Sequence, residues 1–351
     1  MRPTFWLCCV LSLPQILFAA SARGYVIQWG FNGALDVATP PRQVASDAVA
    51  ISAGTGHSLA LRNDGTVFGW GANFLGMALG YKTSDLDVTN GVVVINGRVL
   101  SNVVSTATGR GFSLALKKDG TVVTWGENHV PAGVTNIAGI AAEWGYSWAL
   151  KRDGTIVGWA SQPFSHEYGQ LIQVNGLSNI VAISVGPGGY GTRGVALMRD
   201  GTVGHWGSET EYKDATPPAG LSNVVAVSVG QGYTLALKSD GTIVGWGLNE
   251  FGEATGVPTT NYSPGFSHYS AGQVRIGGQV LNNVVSIAAG RGYSLALKKD
   301  GSVVAWGCMA YNRYLVIVPK GLSNVVAIAA GAEDFCLAIT TNASVASQFR
   351  K

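Results

Sequence analysis

The segment Leu281-Asn-Asn-Val-Val-Ser-Ile-Ala-Ala-Gly-Arg-Gly-Tyr-Ser-Leu-Ala-Leu-Lys-Lys-Asp-Gly-Ser-Val-Val-Ala-Trp-Gly307 is written six times along this chain with small changes. Its sisters end at Gly71, Gly126, Ala160, Gly207 and Gly247, and a seventh, decayed copy occupies Leu322 to Gln348. Self-similarity at a spacing of tens of residues is the signature of a repeat architecture, so the fold follows from what one unit can form and how its copies stack.

Each unit parses into three strands. The first, as in Asn223-Val-Val-Ala-Val-Ser-Val-Gly230, is apolar and ends in small residues; the second, Tyr233 to Lys238, alternates; the third, Thr242 to Gly247, carries a tryptophan. Asp-Gly joins second to third at Asp64-Gly65, Asp119-Gly120, Asp153-Gly154, Asp200-Gly201, Asp240-Gly241 and Asp300-Gly301. Asp-Gly between strand residues predicts a hairpin with a primed turn. A Gly-x-Gly turn joins first to second, as at Gly54 to Gly56 and Gly230 to Gly232. Because it recurs between strands, it reads as a structural turn rather than a nucleotide fingerprint. The tryptophans at 29, 70, 125, 159, 206, 246 and 306, one per unit, are expected in the packing between neighbouring sheets. Burying one contributes roughly 4–6 kcal/mol by area.

Short antiparallel sheets repeated radially form a β-propeller, whose edges are short and protected. The chain opens on a lone third strand, Tyr25 to Gly30, and closes on a unit with Gln348 where its own tryptophan should stand. The expected fold is therefore all-β, a seven-bladed propeller whose ring the N-terminal strand closes, with residues 23–351 forming a single domain.

Charged residues make up only 12% of the 351, about half the ordinary share, and the 49 glycines are about twice the usual number. Tight turns and short strands suit that composition; helices and disorder do not. Residues 1–22 differ in kind: Arg2, an apolar run from Phe5 to Ala20, then Ala20-Ser21-Ala22. This is the pattern of a cleaved secretory signal peptide, with a secreted or periplasmic product. Without Arg2, 22 basic and 20 acidic residues remain, a net charge of +2, which does not point to nucleic acid. Export permits a disulfide between Cys308 and Cys336, but Cys336 stands where other units have Ser113, Ser147 and Ser294.

The consensus Gly-x-Gly-aromatic-Ser-Leu-Ala-Leu-Lys-x-Asp-Gly-Thr-Val-x-x-Trp-Gly, with Asn32, Asn73, Asn128 and Asn249 two residues beyond some copies, resembles the regulator of chromosome condensation repeat. The resemblance covers nearly all of the chain beyond residue 22 and implies a seven-bladed propeller. The namesake of that family is a nuclear guanine-nucleotide exchange factor on chromatin. The export segment and near-neutral charge make this chain more similar to the secreted propeller inhibitors of β-lactamase, which bind a protein through one face of the ring. No binding residue of the family carries over, because only the scaffold motif matches.

No catalytic constellation is visible. His57, His129, His166, His205 and His268 lack metal-ligand spacing, and no nucleophile elbow or phosphate loop occurs. Neither a metal nor another cofactor is expected. His57 takes the place of Phe112, Tyr146, Tyr233 and Tyr293 and reads as a packing ring. Nine basic residues flank the Asp-Gly turns (Arg62, Lys117, Lys118, Lys151, Arg152, Arg199, Lys238, Lys298 and Lys299), with aspartates beside them, and read as a solvated rim.

Departures from the repeat are the better functional clues, since binding residues sit on loops held by a rigid frame. The position inside Gly-x-Gly varies as Thr55, Arg110, Trp144, Gln231 and Arg291, and Trp144 is an aromatic where the scaffold asks for none. Pro187 to Arg193 enlarges the same turn in the fourth unit. Insertions follow Trp70 and Trp246, the second carrying Tyr262, Phe266, His268 and Tyr269 among Gly, Ser and Pro. That mixture suits an adaptable binding loop. The expected site is thus Trp144, Arg110, Gln231 and Arg291, with Tyr262, Phe266 and Tyr269. The function these features point to is an exported, monomeric, non-catalytic protein that binds another protein through one face. A propeller hydrolase or lyase acting on extracellular or cell-surface polysaccharide is the alternative, with carboxylates converging on the axis, and a structural envelope role is third.

Overall fold

The computed structural model describes residues 24–30, 40, 47–73, 75–83, 88–160, 171–188, 191–207, 216–259, 269–309, 314–331 and 335–348. The proposed signal segment, residues 1–22, lies outside them. Among the described residues, seven antiparallel sheets of three or four strands follow one another along the chain. Their inner strands are Ala48–Ala53, Val103–Thr108, Ile137–Glu143, Ile180–Gly188, Val224–Val229, Val284–Ala289 and Val325–Ala330. Each inner strand lies against the inner strand of the next sheet, and the seventh lies against the first.

The all-β propeller expected from the repeats is therefore the fold. Tyr25–Gly30 is the outer strand of the seventh sheet, paired antiparallel with Phe335–Thr340 from Tyr25 opposite Thr340 to Gly30 opposite Phe335. One part of the sequence reading is corrected here. The stretch ending at Gln348 is not a third strand but a short helix, Ala343–Gln348, whose first turn is capped by Asn342 Oδ1 accepting from Ser344 and Val345 N–H. With the outer-strand place already filled, that stretch has no ladder to join.

The core is divided into seven apolar layers, each between two neighbouring sheets, the last joining the seventh sheet to the first. Each layer receives the tryptophan of the sheet on its later side, as expected; Trp70, Trp125, Trp159, Trp246 and Trp306 are buried, and Trp29 and Trp206 are partly so. A buried indole N–H needs an acceptor. Trp70 donates to Gln28 Oε1, Trp125 to Met77 O, Trp159 to Asn128 Oδ1 and Trp306 to Glu253 O, each acceptor belonging to the preceding sheet or its loop. Opposite each tryptophan on the middle strand stands a small residue (Ser58, Ser113, Ser147, Gly194, Thr234, Ser294 or Cys336). This accounts for Cys336, which is buried and not joined to Cys308 by a disulfide.

The Asp-Gly links form a different turn from the primed one expected. In the first sheet Gly65 N–H donates to Arg62 O and Arg62 N–H to Thr66 O, and the positive φ, 78°, falls on Gly65 rather than Asp64. This is a three-residue loop with a left-handed glycine and a bulge. Asp64 serves by accepting from Thr66 N–H at 2.9 Å and from Thr66 Oγ1 at 2.6 Å, and the other five aspartates also accept from the N–H two residues on.

Candidate functional site

The Gly-x-Gly turns all lie at the end of the sheets remote from the Asp-Gly turns, because the middle strand spans from one to the other. In the regular turns the positive φ is carried by the second glycine, 79° at Gly56, 82° at Gly111, 78° at Gly232 and 77° at Gly292. The first glycine is required for space. A Cβ would stand 2.3 Å from the Phe112 ring at Gly109 and 2.4 Å from Tyr233 at Gly230. These aromatics are fully buried plugs, and they tie sheets together. Tyr233 Oη donates to Tyr293 O, and Tyr293 Oη donates to Phe335 O at 2.6 Å.

The third turn breaks this scheme at every position. Its sequence is Glu143-Trp144-Gly145, so a side chain stands where a glycine was needed, and the following Tyr146 is only half-buried. Glu143 pairs directly with Tyr146, which leaves a two-residue turn. The positive φ has moved to Trp144, at 42°. A tryptophan in the left-handed region is strained, and such strain gathers at functional positions. The inverted turn is held from outside by Arg110 N–H donating to Trp144 O at 3.0 Å.

The Arg110 guanidinium then lies over the Trp144 ring, 5.0 Å from its centroid, within cation–π range. Trp144 is 48% exposed and Arg110 is exposed too, so the pair forms a flat cationic-aromatic platform on the open face. The structure thus brings together two of the residues singled out from sequence. Gln231 and Arg291 occupy turns of two other adjacent sheets, where Gln231 N–H donates to Gly290 O, and both are half-buried. Tyr269 is not in a loop, as the sequence reading had it. It opens the outer strand Tyr269–Gln273, opposite Leu248, whose N–H donates to Gly232 O, so it does lie at the same end of its sheet. Tyr262 and Phe266 lie outside the described residues.

One more expectation is corrected. Pro187 to Arg193 does not simply enlarge the turn: the first two strands of the fourth sheet extend into it from both sides, with Gly186 opposite Arg193 and Gly188 opposite Gly191. Arg193 is 1% exposed, and its Nη2 donates to Thr234 Oγ1 of the next sheet, so it braces two sheets rather than meeting a ligand. The long insertions begin as ordered loops. Asn73 Oδ1 accepts from Ala78 and Leu79 N–H while its Nδ2 donates to Tyr81 O, and Asn249 repeats the arrangement with Ala254, Thr255 and Val257. The asparagine after Trp-Gly in the repeat was the sequence signal for this clamp.

Titratable groups inside the fold are perturbed by burial. His57 packs as expected, with Nε2 2.8 Å from Ser113 Oγ, and desolvation lowers its pKa to about 4. Glu253, in the second insertion, is sealed from solvent with Oε2 accepting from Phe251 N–H, and burial raises its pKa to about 7. Glu143 is raised to about 8 by the same cause. Among the described residues no group of three His, Cys, Asp or Glu side chains could hold a metal ion.

Four stretches, 48–76, 103–130, 224–253 and 284–313, match the model of the regulator of chromosome condensation (RCC1) repeat. Among solved structures, the chain is similar to Prp20p of Saccharomyces cerevisiae, with 17% identity, a TM-score of 0.69 and coverage of 95% of this chain and 97% of that one. It is similar to yeast RCC1 (Prp20) in its complex with Kap60, at 18% identity and a TM-score of 0.66 over 99% and 96% of the two chains. Human WBSCR16 follows at 16% identity and a TM-score of 0.62, over 90% and 98%. The chain thus carries repeats of the RCC1 type, and it has the β-propeller fold of these solved structures.

Proposed function

We propose that this protein is an exported, non-catalytic binding protein that recognises a protein partner through the Gly-x-Gly face, with the Arg110–Trp144 platform as its anchor. The observation that carries the reading is the exposed stack on a strained turn. The fold does not require a tryptophan there, since its sister turns do without one, and interface energy concentrates in Trp, Tyr and Arg. Export rests on the signal pattern of residues 1–22. A propeller of similar fold engages proteins: Prp20p is described by its binding to Gsp1p and histones, and by its complex with Kap60. No described helix is long and apolar enough to cross a membrane.

Affinity capture from the native secretome, followed by Kd measurement on the captured partner, tests the reading. Trp144→Ala is expected to weaken binding by about 2 kcal/mol or more. Trp144→Gly should lose the same affinity yet melt no lower than wild type, because glycine relaxes the left-handed backbone. A partner held equally well by both variants removes the platform from the interface. Turnover of a glycan by the wild type, abolished by one carboxylate substitution, would contradict the non-catalytic reading.

A further inference from the structure

On the axis of the ring lies a partly open cavity of about 100 Å³, room for several waters. Its walls come from all seven inner strands, from the last residues of six of them and from Ser184 and Val185 of the longer fourth, so it lies toward the Gly-x-Gly end of the axis. Seven of its fifteen lining residues are alanines, from Ala53 and Ala107 round to Ala329 and Ala330, and the surface exposed between them is largely polar. Polarity comes from hydroxyls, among them Ser184 and Ser228, and from a single ionisable side chain, Glu143. Among the described residues that line the cavity, no cation and no second acid faces this carboxylate.

The serines are already built into the wall. Ser184 Oγ accepts from Val229 N–H at 3.1 Å and Ser228 Oγ from Ala289 N–H at 3.0 Å, each linking one inner strand to the next. Each hydroxyl keeps a second lone pair for an occupant. One carboxylate among methyl groups and neutral hydroxyls is too poor in charged oxygens for Ca²⁺ or Mg²⁺. Its complement is a monovalent cation with an apolar stem.

We propose that this cavity is a binding site for a primary alkylammonium group, the ammonium paired with the Glu143 carboxylate and the alkyl chain packed on the alanine wall. The group belongs either to a free amine or to a lysine side chain presented by a docked protein. The site stands independently of the protein-binding reading, because a small amine probes it with no partner present. Burial that raises the carboxyl's pKa to about 8 fits a site completed by a cation.

The test is an NMR titration of the purified protein with n-butylammonium chloride, beside n-butanol and sodium chloride at matched ionic strength. The expected result is saturable shifts at the ends of the inner strands with butylammonium alone, weakened at least about tenfold by Glu143→Gln. Ala289→Leu, which fills the cavity while keeping the charge, should abolish binding, and it decides the matter if the Glu143 variant does not fold. Nα-acetyl-lysine methylamide separates the sources: matching affinity assigns lysine side chains, and its exclusion assigns free amines. Butanol or sodium binding as well as butylammonium, or no saturable shift in the folded wild type, overturns the proposal.

Discussion

Burial acts on single residues here in two opposite senses, and pH separates them. Glu253 has its folded pKa raised from 4.5 to about 7. Above pH 4.5 the unfolded chain gives up this proton while the folded chain keeps it, so stability falls as pH rises until both states are ionised near 7. His57 runs the other way: below 6.5 the unfolded chain binds a proton that the folded chain refuses until about 4, so stability falls with acid. Glu253→Gln removes the first effect. Relative to wild type, urea unfolding should show the variant gaining on the order of 2–3 kcal/mol between pH 5 and pH 8. A difference that stays flat across that range would show that Glu253 is ionised at little cost inside the fold. His57 was legible from sequence as a packing ring because it aligned with Phe and Tyr. Glu253 was not, since it sits in an insertion with no sister pattern of acids: its counterpart in the first insertion is Met77, whose carbonyl accepts from Trp125 as that of Glu253 does from Trp306.

At the scale of the element, the recurring hairpins were readable but their turn chemistry was only half so. Asp-Gly announced the hairpin, yet the positive φ settled on glycine alone and the aspartate became an acceptor. A second set of left-handed residues went unread. Asn102, Asn136, Asn179, Asn223, Asn283 and Asn324, each just before an inner strand, have φ between 52° and 59°. The residue after most of them donates to the glycine of the preceding sheet's Asp-Gly turn, as Val284 does to Gly241 O, so the motif fastens one sheet to the next. Asparagine tolerates this conformation better than most residues do. Asn283→Ala is therefore expected to lower stability by about 1 kcal/mol, with Asn283→Gly near wild type. Equal stability of all three proteins in denaturant would show that the backbone there is not constrained. The third Gly-x-Gly turn shows why the site was partly legible. Trp144 stood out against its sisters, but the inversion of the turn, and the stacking of Arg110 that follows from it, depends on a contact between two sheets that no local pattern encodes.

For the whole molecule, repetition made the propeller class legible, because a unit with one tryptophan face has to bury it against a copy of itself. The lone third strand at Tyr25 pointed to the last sheet, whose outer strand is indeed Tyr25–Gly30; what repetition could not show was that the last unit finishes in a helix. That strand carries Val26 into the layer between the seventh and first sheets and Ile27 into the layer between the sixth and seventh. Gln28 accepts the Trp70 indole N–H from the first sheet. The common face that holds Arg110, Trp144 and the axial cavity exists only if the ring is shut. The most direct measurement is the thermal melting of a chain lacking Tyr25–Gly30, with and without a synthetic peptide of that strand. Two buried aliphatics at roughly 1.5–3 kcal/mol each, with the ladder beside them, should lower the Tm by roughly 10 °C, and the peptide should restore it. Melting at the wild-type temperature without the strand, and no response to the peptide, would contradict the closed ring.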